Sequence, residues 1–163
     1  MKGMEIMIKR ILTYANEEDR KILSTTSAEV TKEDNIQEIV QDLEDTLQDA
    51  EGKSGVGISA VQIGILKRIC IIHYSGHNLI LINPKIVWRR NGPHSEKDFQ
   101  EGCLSVPGVS AKITRSQKII CEYTDEQGEL KRIDEGGWMS AIIQHEIDHM
   151  DGISKLYNLV KEV

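Results

Sequence analysis

The sequence predicts an α+β fold in which antiparallel or mixed β-sheets pack around a central helix near the C-terminus. Three observations carry this. Ile36, Ile39, Val40, Leu43 and Leu47 recur at helical spacing. Between Ile69 and Ile133 come short apolar runs punctuated by turn residues, the pattern of strands. From about Gly137, Ile143, Ile147 and Met150 form one apolar stripe while Trp138, Ala141 and Ile142 lie on another side. A helix apolar on two sides is expected in the middle of a fold.

A chain of 163 residues, 39% hydrophobic and 28% charged, is expected to form one domain, 1–163, with its own core. The net charge of −6 argues against general nucleic-acid binding. No leader or membrane span is expected: the first residues carry scattered charge, and no apolar run is long enough. Three cysteines, Cys70, Cys103 and Cys121, are too few for a disulfide framework and point to a reducing cytoplasm.

Residues 5 to 30 show no clear periodicity. The helix from Ile36 has Asn35 as its N-cap, Glu38 three residues on and Gly52 as its stop. Gly55, Gly57 and Ala60 fit a dinucleotide loop, but no acid stands near position 80, where that motif needs one. The segment Gly55–Gly64 therefore reads as backbone left open for close approach. Ile69–Ile72 reads as a buried strand, and Leu79–Ile82 and Lys85–Trp88 as two more, separated by a turn at Asn83-Pro84. Cys70 and Cys121, inside apolar runs, read as small buried hydrophobes. His73 and His77 flank a turn, and His94 sits beside Pro93; all three read as surface residues. Cys103 differs, because Gly102 and Pro107 suggest irregular backbone around it. Strands follow at Ala111–Thr114, Lys118–Tyr123 and Leu130–Ile133, with a turn at Asp125–Gly128.

The chemistry concentrates in Gln144-His145-Glu146-Ile147-Asp148-His149. On a helix, His145 and His149 share a face and can ligate one metal ion, with Glu146 placed to act on water. Catalytic sites of this kind use three protein ligands. Six residues after His149 stands Lys155 where an extended motif would need a third histidine, and the one glutamate downstream is Glu162, near the end of the sequence. The third ligand is expected upstream, with Cys103 the leading candidate.

Three blocks, Gly55-Val56-Gly57-Ile58-Ser59-Ala60-Val61-Gln62, Glu101-Gly102-Cys103-Leu104-Ser105 and Gln144 to His149, together resemble the peptide deformylases in their order and separation. The resemblance runs from about Gly55 to Gly152. It implies removal of the N-formyl group from formylmethionine of newly made polypeptides, releasing formate. It implies Cys103, His145 and His149 as ligands of one divalent ion, Fe²⁺ by preference, with Zn²⁺, Ni²⁺ or Co²⁺ as substitutes. Glu146 would move the proton, and the Gln62 side chain and Leu104 N–H would bind the developing oxyanion. Val56 and Gly57 would pair with the peptide backbone, with Glu101, Gly102, Trp138 and Ile142 completing the substrate site and Glu101 pairing with Arg115. The partners implied are N-formylmethionyl nascent peptides at the ribosome exit, with no membrane or nucleic acid, acted on by a cytoplasmic monomer.

The chain departs from the family pattern at Ser59 (usually alanine), Trp138 (often leucine) and Ser110 (arginine in many members). Tyr14-Ala15-Asn16 lacks a proline-acid pair usual near the start, and Ile153 to Tyr157 strays from the usual apolar pattern. Two other functions remain open from sequence: a small metallopeptidase cutting internal bonds, and a diverged metal-binding protein without catalysis. An intact Glu146 argues against the second, since a structural site has no use for a base.

Overall fold

The computed structural model describes residues 5–50 and 55–160. Two sheets and three α-helices follow in chain order: α1 (Glu17–Leu23), α2 (Ile36–Asp49), β1 (Gly57–Ser59), β2 (Ile69–Tyr74), β3 (His77–Arg89), β4 (Glu96–Cys103), β5 (Val106–Ser116), β6 (Lys118–Thr124), β7 (Leu130–Gly136) and α3 (Gly137–Met150). Short 3-10 helices cover Ala60–Ile63 and Tyr157–Leu159. A five-stranded sheet has the order β1-β2-β3-β6-β7, and β4 and β5 form a separate two-stranded sheet. All strand pairs are antiparallel. The α+β architecture is as expected.

The larger sheet is covered on both faces. Val40, Leu43 and Leu47 of α2 pack on Ile58, Ile69, Ile71 and Ile82. Met139, Ile142, Ile143, Ile147 and Met150 of α3 pack on Cys70, Ile72, Leu81, Ile119 and Cys121. Alternate side chains of a strand point to opposite faces, so β2 is apolar at every position from Ile69 to Ile72 because both faces are buried. Each fully buried Leu or Ile is worth about 1.5–3 kcal/mol over its exposed state. A third cluster joins Leu12 and Leu23 to Cys103, Val106, Ile113, Leu156 and Tyr157, fixing the small sheet between the chain's two ends.

Asn35 caps α2 as read, its side chain accepting from the Glu38 N–H at 3.2 Å. The helix ends at Asp49 with Ala50 as its cap, and Gly52 lies outside the described residues. Several expectations are corrected. Residues 5 to 30 contain α1, too short and polar to show a periodicity; Asn16 caps it through the Asp19 N–H at 3.0 Å. Leu79–Ile82 and Lys85–Trp88 belong to one strand, β3, interrupted by a bulge rather than a turn. Asn83 takes φ 50° there, and its side chain bonds both backbone groups of Val30, at 2.8 and 3.1 Å. That lateral anchor lets the strand resume beyond Pro84. Strand β4 is unexpected from the sequence, because its inward residues are Phe99, Glu101 and Cys103, a mixed set with no apolar alternation. Strand β5 begins at Val106, running through Pro107 and Gly108, and β7 continues to Gly136.

Candidate active site

The site lies where α3 passes between the two sheets. His145 and His149 stand one turn apart on the buried helix, as their spacing requires, and Cys103 reaches them from the end of β4. Cys103 is not on irregular backbone: it is the last residue of that strand, where the register shifts by a bulge and Leu104-Ser105 turn the chain to Val106. The bulge aims its thiol inward.

Cys103 Sγ and His149 Nε2 are 3.3 Å apart, and the two histidine Nε2 atoms 3.2 Å. All three candidate ligand atoms lie within 4.8 Å of one another. An ion bonded at about 2.0–2.3 Å to nitrogen and sulfur holds tetrahedral ligands roughly 3.3–3.6 Å apart. The group therefore fits a single ion, and its soft thiolate and two imidazoles suit iron or zinc rather than magnesium or calcium.

The other ring nitrogens point away from this cluster to fixed partners. His145 Nδ1 is 3.0 Å from Glu101 Oε1, and His149 Nδ1 is 3.3 Å from the Tyr157 hydroxyl. Glu101 is clamped in turn by Arg115, which donates from Nε and Nη2 at 2.8 Å each and from Nη1 to Asp148 at 2.7 Å. Burial works against the Glu101 carboxylate, but Arg115 and His145 outweigh it and hold its pKa below the ordinary 4.5. Burial also opposes charge on His145, yet its bonds to Cys103 and Glu101 raise its pKa well above the usual range. His149 has no such compensation: burial, the charge on His145 and Arg115 push it well down. Burial raises the Tyr157 phenol, with Cys103 adding to the effect.

Glu146 is 3% exposed. Its Oε1 accepts from the Ser59 hydroxyl at 3.0 Å, and a Cβ added to Gly57 would come within 2.9 Å of its Oε2. Gly57 and Ser59, two apart on β1, thus cradle the carboxylate, and only a residue without a side chain leaves it room. Burial raises the Glu146 pKa, against the lowering effects of His145 and Ser59. Gln62 lies beneath: its amide nitrogen donates to Ser105 Oγ at 3.0 Å and sits 3.7 Å from Cys103 Sγ, while its oxygen accepts from the Ser59 N–H at 2.9 Å.

A cavity of about 660 Å³ opens onto His145 and Glu146, with Val56, Trp138, Ala141 and Ile142 among its lining. Glu101 and Gly102 border it too, and Ser110, whose hydroxyl is 2.6 Å from Gln100 Nε2, lies on its rim. Trp138 is 44% exposed and meets Phe99 edge-on at 5.0 Å, so it stands at the mouth. Leu104 and Cys103 border a smaller adjoining hollow of about 270 Å³.

Every residue read from sequence as a site member thus falls in this region. The structure adds Tyr157, Asp148 and Ser105, whose roles depend on contacts between distant segments. Elsewhere, Cys70 and Cys121 are buried in the core, with burial raising both thiols, Cys121 to about 11. His77 and His94 are exposed, while His73 is half-buried and pairs with Glu44 at 2.9 Å. Among the described residues no helix is long and apolar enough to cross a membrane.

Comparison with known proteins agrees with this geometry. The family model described as polypeptide deformylase matches residues 8–162. A peptide deformylase of Finegoldia magna is 37% identical over 152 residues, covering 89% of this chain and 90% of that one. One from Desulfitobacterium hafniense is 40% identical over 119 residues, 73% of this chain and 75% of that one. Among solved structures, the peptide deformylase of Legionella pneumophila superposes with a TM-score of 0.79 at 34% identity, covering 93% of this chain and 89% of that one. A Synechococcus elongatus peptide deformylase in complex with actinonin gives 0.78 at 27% identity, covering 94% and 85%. With the match spanning nearly its whole length, this chain belongs to the polypeptide deformylase family.

Proposed function

We propose that this chain hydrolyses the formyl amide of N-formylmethionyl polypeptides through one catalytic domain, releasing formate and a free amino terminus. The observation that carries the reading is the buried Glu146 carboxylate, directly beside a Cys-His-His cluster that fits one ion and facing a cavity with apolar walls. Cys103, His145 and His149 would hold a divalent cation, Fe²⁺ in the cell, with Zn²⁺, Ni²⁺ or Co²⁺ able to replace it. Such an ion supplies Lewis acidity that makes water a stronger acid and polarises a carbonyl.

Glu146 takes a proton as water adds to the formyl carbon, and returns it to the amine nitrogen as the C–N bond breaks. Its raised pKa brings it nearer to the neutral range in which it must both accept and give a proton. The Gln62 side-chain amide and the Leu104 backbone N–H donate to the oxygen on which negative charge develops. Val56 and Gly57 take the extended peptide as an added strand; β1 ends the sheet order, and among the described residues no strand pairs with its other side. Trp138, Ala141 and Ile142 hold the methionine side chain, while Glu101 and Gly102 bound the cavity beside His145. The chain acts as a cytoplasmic monomer on nascent peptides near the ribosome exit.

The test is formate release from a formyl-methionyl peptide by anaerobically purified, iron-loaded protein. Wild type should turn over, and Glu146→Ala should lose about 10²–10⁴-fold in kcat while keeping its metal. No formate from wild type, or undiminished turnover by the variant, would sink the proposal.

A further inference from the structure

We propose that Tyr157, held in place by Tyr14, is a positioning residue that presents His149 as a metal ligand. This rests on the metal-site reading above and extends it to two residues at opposite ends of the chain.

The two histidines are supported differently. Behind His145 stands a carboxylate, Glu101, at 3.0 Å; behind His149 stands a phenol oxygen, Tyr157, at 3.3 Å. For Nε2 of His149 to point a lone pair into the cluster, Nδ1 must carry the ring proton, and the phenol oxygen is then its acceptor. Tyr157 is only 7% exposed. Its ring stacks on Tyr14 with centroids 3.8 Å apart and planes 9° from parallel. Tyr14 in turn donates its N–H to Ser105 O at 2.9 Å, and Leu12 donates to Gln62 O at 2.8 Å. Tyr14 is therefore bonded to the turn that follows Cys103, and the stack transmits that position to His149. Both tyrosines belong to the two stretches, around Tyr14 and from Ile153 on, where the sequence departs from the family pattern. They meet in space and nowhere in sequence.

A purely packing role for Tyr157 would need the ring and not the hydroxyl, and Tyr157→Phe separates the two. The full chain, stripped of metal, is titrated with cobalt(II) chloride against a chelating indicator, and the visible spectrum of the cobalt form is recorded. Tyr157→Phe should bind cobalt about 10- to 100-fold more weakly, with a changed ligand-field spectrum. Tyr14→Leu keeps the hydroxyl but removes the stack, and should weaken binding in the same direction; Tyr14→Phe should bind as wild type. Cobalt affinity and spectrum unaltered in Tyr157→Phe overturn the inference. If that variant fails to fold, unaltered affinity in Tyr14→Leu overturns it. Failure of the wild-type chain to bind cobalt would instead reject the metal site itself, before any variant is compared.

Discussion

Gly57→Ala tests the cradle around Glu146, the proposed general base. A Cβ at this position would lie 2.9 Å from Glu146 Oε2, 3.2 Å from Glu146 Cδ and 3.2 Å from the Ile71 carbonyl oxygen. The carbonyl belongs to β2, paired on both sides, so it cannot yield. The carboxylate must, and to reach an ordinary contact of about 3.5 Å it has to retreat by roughly half an ångström. A misplacement of about 1 Å can cost about 100-fold in rate, so a shift of this size should cost about ten-fold, or about 1.4 kcal/mol of barrier. No positive φ constrains Gly57, but the Cβ also presses on the fixed Ile71 carbonyl at 3.2 Å, so some loss of stability should accompany the kinetic effect. Steady-state kinetics of formate release should show the loss in kcat, with KM and bound metal unchanged. A kcat within two-fold of wild type, or a loss confined to KM, would refute the argument.

Three further outcomes follow from the same region and its supports. Ser59→Ala removes a hydroxyl whose one proton is shared between the Glu146 carboxylate and the Glu146 backbone carbonyl, each at 3.0 Å, a bond worth about 0.5–1.5 kcal/mol, and should lower kcat by less than about ten-fold without loss of metal; a larger drop would mean the hydroxyl does more than restrain the carboxylate. Arg115→Ala leaves a Glu101 side chain that is 7% exposed with His145 as its remaining partner, and denaturant titration should show a loss of about 3 kcal/mol, the low end for a broken buried pair. A loss under 1 kcal/mol would show that water replaces the guanidinium. Asp19, bonded by Arg10 and by the Thr13 N–H, has a pKa depressed below its ordinary 3.8, first by the Arg10 hydrogen bonds. Its contribution is therefore complete above that value and lost as the pH falls through the native pKa. Asp19→Asn should be less stable than wild type at neutral pH, with the gap in melting temperature closing below pH 3.8; a gap independent of pH contradicts the assignment.

The parts legible in the sequence were those encoded locally. Asn35 announces α2 because a cap and its acceptor are neighbours in sequence, and His145 and His149 announce a shared face because one helical turn separates them. Around Cys103, glycine and proline mark a bulge and a sharp turn rather than the absence of a strand. Strand β4 stayed hidden because its inward side carries Glu101, whose burial makes sense only with Arg115 in place from β5. Asn83-Pro84 read as a turn because a bulge uses the same residues, and the difference lies in Val30, 53 positions away. Tyr157 carries no local signal at all, since its partners are Tyr14 and His149.

The stack of Tyr14 on Tyr157 also bears on when the protein becomes active. It closes a loop over almost the whole chain, the kind of long-range contact that forms slowly. During synthesis the hairpin of β4 and β5 can pair as soon as both strands exist, but Tyr157 is added after every other member of the site. The N-terminal segment around Tyr14 must wait for it. If Tyr157 supports His149 as proposed, a growing chain would carry Cys103 in a formed hairpin before His149 had its support, and would bind metal tightly only after the turn at Tyr157 had docked.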